Sequence, residues 1–293
     1  MASERRFART VDGRSWVGDE SGFVPLESAL PGVDDVTDAL SARGDSLADV
    51  DVDDAPARRV PASSLAFRTP FDPGKLWGIG LNYADHAADL SEVRPDAPAS
   101  FMKPATALTG PGGPIRLPAW SDRVTAEAEL GVVIGRTCSD VARAAFGEVV
   151  AGFVPVIDVT CEDVLARNPR FLTRAKSFDT AIVVGPWLSA PATLDRLADV
   201  TVRTVVNGET VAENDVDGML FPPDELVSFH SRVMTLEPGD LLSTGTPGAG
   251  VIEPGDRVRA EIDGLAEDTS AARRTRSGGA CVLEADVVGP SEG

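Results

Sequence analysis

A strand-dominated α+β fold preceded by a small leading unit is what this 293-residue sequence predicts. Three observations carry that expectation. Short apolar runs rich in β-branched residues recur from residue 76 onward, bounded by Gly, Pro, Asn and Asp. Helical spacing of apolar residues is confined to a few stretches. Strands and helices also fail to alternate regularly, which argues against a doubly wound α/β sheet.

Residues 1–67 read as the small N-terminal domain. Short alternating stretches at Ser15-Trp16-Val17 and Gly22-Phe23-Val24-Pro25 precede a helix-like DDVTDALSARG and a charged, loop-like DVDDAPARR. RTPFDPGK, at 68–75, is rich in Pro and Gly and reads as a linker into a second domain spanning 68–293. There LWGIGL (76–81), ELGVVIG (129–135) and FVPVIDV (153–159) suit buried strands. IVVGPWL (182–188), VTVRTVVNG (200–208), LLSTGTP (241–247) and RVRAEIDG (257–264) continue the series. YADHAADL after Asn82 is a helical pattern, as is DELVSFHSRVMTL (224–236), which places Leu226, Val227, Phe229, Val233 and Met234 at helical spacing. SAARRTRSGG, after Glu267, looks like a loop before a last strand, CVLEADVV, with a tail that frays from about residue 285.

Composition excludes several function classes. With 46 acidic against 27 basic residues, the net charge of −19 repels nucleic acid and anionic membranes. No apolar run approaches the length of a membrane span, and the N-terminus lacks an apolar signal core, so a cytoplasmic protein is expected. Three cysteines without CxxC spacing argue against a disulfide framework or a zinc cluster. The acid excess suggests a high-salt cytoplasm, as in a halophile, where counter-ions screen the self-repulsion; a GC-rich genome with arginine bias is the competing account.

Scarce residues are informative here. The chain has one tyrosine, Tyr83, two histidines, His86 and His230, and only three lysines, Lys75, Lys103 and Lys176. Glu127 and Glu129 are separated by one residue and lead into an apolar run, so on a strand both carboxylates share a face. Two such charges repel unless a cation lies between them, and all-oxygen ligation suits Mg²⁺, Mn²⁺ or Ca²⁺. A solvated strand face is the alternative. Asp158 ends the apolar run FVPVID, where an unpaired carboxylate is costly; it either supplies a third ligand or caps a following helix. His86 and Asp89, three apart on a helical pattern, form either a base with its orienting acid or a surface ion pair. His230 reads as structural. TGTPGAG (244–250) resembles an anion-binding loop but lacks the Lys and spacing of a P-loop. GIGLNY has Tyr83 where a dinucleotide fingerprint needs its third glycine.

Taken in order, GIGLNYADHAAD, FMKP, AEAELGVVIG, GFVPVIDVT, RAKSFDT with VGPWL, VVNGE and LEPGDLLSTGTPGAGV resemble the fumarylacetoacetate hydrolase family over about residues 68–265. The branch it is most similar to contains acylpyruvases and hydroxyhepta-diene-dioate isomerases. The resemblance implies a mixed β-sandwich roll, usually assembled as a homodimer. It implies Mg²⁺ or Mn²⁺ held by Glu127, Glu129 and Asp158, with Ca²⁺ an option, and catalytic roles for His86, Asp89 and Lys176. Tyr83, Lys103, Leu165 and Thr246 match positions that line the substrate pocket. The implied substrate is a small 2-oxo or 1,3-dioxo acid. The implied reaction is hydrolytic cleavage of a carbon–carbon bond, with a decarboxylase, isomerase or dehydratase on the same metal site as the alternative. A catalytically silent binding protein is a third, remoter reading.

The chain also departs from the family pattern. Glu162 stands where an arginine is common, Leu165 where a glutamine is frequent, and Asp89 where Glu is usual. The first two lie beside the expected ligand Asp158 and leave fumarylacetoacetate itself in doubt as the substrate.

Overall fold

The computed structural model describes residues 4–83, 95–265 and 280–290. β1 (Arg5–Thr10), β2 (Ser15–Asp19) and β3 (Gly22–Pro25) form an antiparallel meander, followed by α1 (Leu26–Ala29) and α2 (Val36–Arg43). Asp35 caps α2 by accepting a 2.7 Å bond from the Thr37 amide, which satisfies one of the orphan donors of the first turn. Next come β4 (Phe67–Arg68), β5 (Leu76–Gly80), β6 (Ala99–Lys103), β7 (Leu108–Thr109) and β8 (Ile115–Arg116). The two longest strands, β9 (Val124–Ile134) and β10 (Val150–Cys161), lead into α3 (Glu162–Arg167) and α4 (Leu172–Lys176). β11 (Ile182–Val184), β12 (Trp187–Ala190), β13 (Thr201–Val206) and β14 (Glu209–Asp215) precede α5 (Pro223–Val233). β15 (Leu241–Ser243), β16 (Ala249–Val251), β17 (Arg257–Asp263) and β18 (Cys281–Val288) complete the chain.

The strands build two mixed sheets, as the density of β-branched runs predicts. The larger has the order β3-β2-β1-β12-β10-β9-β15-β5-β6, with β4, β7, β11 and β16 attached to its side; the smaller runs β14-β13-β17-β18-β8. The leading strands are hydrogen-bonded into the larger sheet, with Phe7 opposite Leu188 in the β1–β12 pair. Arg68, the first residue of the expected linker, lies in β4 and pairs with Arg9 of β1.

Alternation along the central strands sorts side chains between two cores. Ala126, Ala128, Leu130 and Val132 of β9 pack with Val202, Val258, Ile262 and Leu283 of the smaller sheet. Val133, Val154 and Val156 face the other way, against Phe7, Val17, Val36 and Leu40. Every residue of β9 and β10 is buried, as expected of strands covered on both faces.

Several sequence readings are decided or corrected. For Glu127 and Glu129 the solvated strand face, the alternative to a ligand pair, is overturned: both are buried. Asp158 does not cap α3, the alternative to a ligand role, because β10 continues to Cys161 and that residue occupies the cap position. The tail does not fray from residue 285: β18 runs to Val288, with Val287 and Val288 paired to β8. On α5, Val233 is turned to solvent, and His230 takes the fully buried place in the apolar stripe. Apart from Tyr83, the helical pattern at 83–90, with His86 and Asp89, lies outside the described residues.

Candidate active site

The site grows out of one β-ladder. Glu127 on β9 is the cross-strand partner of Asp158 on β10, and Glu129 partners Val156 two residues along. Side chains on one face of a strand recur every second residue, so Glu127 and Glu129 point together and Asp158 points with them. All three face away from the Ala126–Ala128–Leu130 stripe that fills the main core. Each offers a carboxylate oxygen such that the three atoms lie within 4.8 Å of one another.

Two of the three lysines converge on this cluster. Lys176, at the end of α4, donates from Nζ to Glu127 Oε2 (2.8 Å), Asp158 Oδ2 (2.8 Å) and Thr160 Oγ1 (2.6 Å). Lys103, at the end of β6, lies 2.6 Å from Asp158 Oδ1 and donates to the carbonyls of Lys176 and Ala181. It thereby ties the end of α4 to the sheet. Both ammonium groups also sit over the ring of Phe101, at 5.0 Å for Lys176 and 5.8 Å for Lys103. Phe101 is two residues from Lys103 on the same face of β6.

Glu129 is held differently. Its Oε2 accepts from Ser243 Oγ (2.5 Å) and from the Gly245 amide (2.9 Å). The TGTP turn therefore does grip an acid, and that acid is the protein's own Glu129 side chain. Gly245 adopts φ +95, which turns its N–H toward Glu129, and a Cβ there would meet Asn82 at 2.8 Å. Thr244 braces the turn through Oγ1 to the Leu130 carbonyl (2.8 Å). Thr246 closes it, Oγ1 donating to the Gly248 carbonyl at 2.9 Å.

Burial and crowding set the protonation states. Burial, then the charges of Asp158 and Glu127, push the Glu129 carboxyl up to about 8. Burial would also raise Asp158, but the Lys103 and Lys176 ammonium groups outweigh it and hold that carboxyl below its ordinary value. Burial pulls Lys176 down, yet Asp158, Glu127 and Glu129 together raise it above its ordinary value. For Lys103 burial wins and the net shift is downward. The cluster thus holds three acids against two ammonium groups and is short of positive charge at Glu129.

That deficit fits a divalent cation. Mg²⁺ at about 2.0–2.1 Å from its ligands puts neighbouring oxygens about 3 Å apart and opposite ones about 4 Å apart, close to the span of these three atoms. The donor set is all carboxylate, as hard ions prefer. Glu127, Glu129 and Asp158 would be the residues that hold it.

Of the remaining expected site residues, Tyr83 feels the charge of Glu129, and among the described residues no contact joins Leu165 to the carboxylates. Tyr83 is fully buried and bridges to Met219; its hydroxyl meets no partner among the described residues, and burial followed by the charges of Glu129 and Asp215 raises its pKa. Leu165, half-buried on α3, packs against the main core. Glu162 turns outward to Arg123 at 2.6 Å. Residues that sequence reasoning did not single out, Thr160, Ser243, Gly245 and Phe101, supply direct contacts to the cluster. All four lie inside the quoted motifs, but nothing in the residue type alone tells which atoms turn inward.

A family model for the fumarylacetoacetate hydrolase C-terminal domain matches residues 75–271, about two-thirds of the chain and all of the strands just described as building the centre. The chain belongs to the fumarylacetoacetate hydrolase family. An uncharacterized protein of Archaeoglobus fulgidus is 40% identical over 205 residues, 70% of this chain and 80% of that one. Among solved family structures, 5-carboxymethyl-2-hydroxymuconate delta-isomerase from Mycobacterium smegmatis is 32% identical. It superposes with a TM-score of 0.72, covering 98% of this chain and 99% of its own. Maleylpyruvate hydrolase from Sphingobium sp. SYK-6, solved with manganese(II) and pyruvate, is 27% identical. Its TM-score is 0.78, over 97% and 99% of the two chains. The family thus includes both hydrolases and isomerases with this architecture.

Proposed function

We propose that this chain is a divalent-metal-dependent hydrolase that cleaves a carbon–carbon bond in a small 2-oxo or 1,3-dioxo acid of the acylpyruvate or maleylpyruvate type. The observation that carries the reading is the convergence of Glu127, Glu129 and Asp158 within 4.8 Å, with Lys176 among them. The manganese- and pyruvate-bound maleylpyruvate hydrolase supports both the metal class and the substrate class.

When bound, Mg²⁺ or Mn²⁺ supplies a Lewis acid for the adjacent oxygens of a 2-oxo acid. The chain's residues do the rest. His86, oriented by Asp89, takes a proton from water, which adds to the carbonyl carbon farther from the carboxylate. The bond between that carbon and the pyruvate methylene then breaks, its electron pair passing to the pyruvate unit as an enolate. Lys176 places a positive charge beside the developing negative charge, in a buried setting where such an interaction is strong. Lys103 keeps the end of α4, and so Lys176, in place. Proton return from the His86 imidazolium completes the two acids.

The isomerase reading has its own support in the Mycobacterium smegmatis relative. A substrate screen on metal-stripped protein, with Mg²⁺ or Mn²⁺ added back, separates the two. Metal-restored release of pyruvate from an acylpyruvate is the expected result. Double-bond migration in a hydroxymuconate-type acid with no release of pyruvate would transfer the function to the isomerase reading.

A further inference from the structure

Behind the helix that carries Lys176 lies a second cleft. It is open, about 560 Å³ in volume, and lined by Trp120, Thr173, Arg174, Ser177 and Phe178. Arg174 on α4 and Ser177, the residue that caps its C-terminus, both line the cleft, whereas Lys176 between them is turned away. Lys176 fills the opposite side, against Glu127 and Asp158. The cleft is therefore distinct from the carboxylate centre, although one short helix serves both.

Its chemistry is unusual for this chain. In a protein with 46 acidic residues, Arg174 makes no ion pair among the described residues. Its guanidinium instead lies 5.2 Å from the centroid of the Trp120 ring, and Trp120 is 42% exposed. Ser177 Oγ is out of solvent and meets no hydrogen-bond partner among the described residues. The walls are firm: Trp120 and Phe178 meet edge to face at 6.2 Å and 86°. The turn bearing Trp120 is fastened to α3 by Ser121 Oγ, which donates to Asp163 Oδ1 at 2.5 Å.

We infer that this cleft is a second ligand site for a small carboxylate with a flat, unsaturated or aromatic body. A guanidinium over an indole and without an ion-pair partner among the described residues keeps its N–H fork for a carboxylate, which it can receive through two parallel bonds. Ser177, at the C-cap of α4, adds to the cleft lining a hydroxyl without a partner among the described residues. Two aromatic rings at near right angles make a corner that a planar apolar body fills well. A ligand there bears on the helix that seats Lys176, and so on the position of that ammonium.

The test is titration of the full-length, metal-stripped protein with benzoate, followed by calorimetry and by the fluorescence of the exposed Trp120. Saturable binding is expected, weakened about tenfold or more in Arg174→Gln and severalfold in Ser177→Ala. It should be retained in Glu129→Gln and in the presence of Mn²⁺. Arg174 is exposed, so its replacement leaves the fold intact, which circular dichroism checks. The inference is overturned by any of three results: no saturation, wild-type affinity in Arg174→Gln, or loss of binding in Glu129→Gln, which would place benzoate in the carboxylate centre. Inorganic phosphate binding as tightly as benzoate would overturn the assigned ligand class.

Discussion

Glu127 and Asp158 stand directly opposite one another in the β9–β10 ladder. Like charges in cross-strand pairs oppose sheet formation, and these two are buried as well. The ladder tolerates them because Lys176 Nζ lies 2.8 Å from an oxygen of each. The centre is held together by a cation even before any metal is considered.

Replacing Lys176 with Met should therefore destabilise the metal-free protein by about 3–5 kcal/mol, the usual consequence of leaving buried charges unpaired. Added Mn²⁺ should recover part of that loss, and turnover should fall by about 10²-fold or more. Thermal melts with and without Mn²⁺ check the first point. An unchanged melting temperature in the metal-free variant would show that the ion pairs contribute nothing.

Ser243 offers a gentler probe of the same site. Its hydroxyl orients Glu129, and removing such a supporting hydrogen bond commonly costs about 10–100-fold in metal affinity. Ser243→Ala should weaken Mn²⁺ binding by that factor in calorimetry while leaving the fold unchanged. Glu129→Gln should weaken it further.

Gly78 sits opposite Phe101 in the β5–β6 pair, and a Cβ there would come within 2.2 Å of the Phe101 ring. Gly78→Ala should cost about 1–3 kcal/mol through overpacking. Because the Phe101 ring lies 5.0 Å from the Lys176 ammonium, the displaced ring should also lower turnover. A double variant with Phe101→Leu should recover stability but not turnover.

His230 predicts a pH effect on stability. It is fully buried, its ring tilted against Trp77 with centroids 4.8 Å apart, and burial lowers its pKa even though the Leu226 carbonyl bonds its Nδ1. The unfolded chain, with a histidine pKa of about 6.5, then binds a proton that the folded chain refuses. Stability from this group is complete above that value and falls as pH drops below it, by up to about 1.4 kcal/mol per pH unit. Urea midpoints from pH 7.5 to 5 should fall less in His230→Gln than in the parent. A parallel His86→Gln series isolates the other histidine.

The charge excess makes a salt prediction. At −19, self-repulsion should weaken the fold at low ionic strength. Melting temperatures should rise between 0.1 and 2 M KCl. A melting temperature indifferent to salt would leave arginine bias as the explanation of the composition.

Much of this fold was legible in advance. Runs such as VTVRTVVNG and RVRAEIDG became β13 and β17 because β-branched residues in short stretches, bounded by Gly and Asn, have few other stable conformations. The spacing of Glu127 and Glu129 was likewise enough to put both carboxylates on one face, since the strand period of 2 is a local property. The partnership of the leading meander with β12 was not legible, because strand pairing between residues 5–10 and 187–190 leaves no periodic trace in either segment.

The sequence by itself determined most of the long strands, which acids share a face, and which ordered motifs place the chain in its family, but not short or edge strands such as β6, β8 and β14. These follow from local sterics and side-chain alternation. Only the tertiary structure decided that β9 is covered on both faces, so that an apparently solvated acid pair is buried. It alone set Asp158 opposite Glu127, brought Lys103 and Lys176 from elements 73 residues apart to one carboxylate, and aimed Ser243 and Gly245 at Glu129. Those relationships depend on register and packing between distant segments, where the energy resides in contacts that no single stretch of sequence contains.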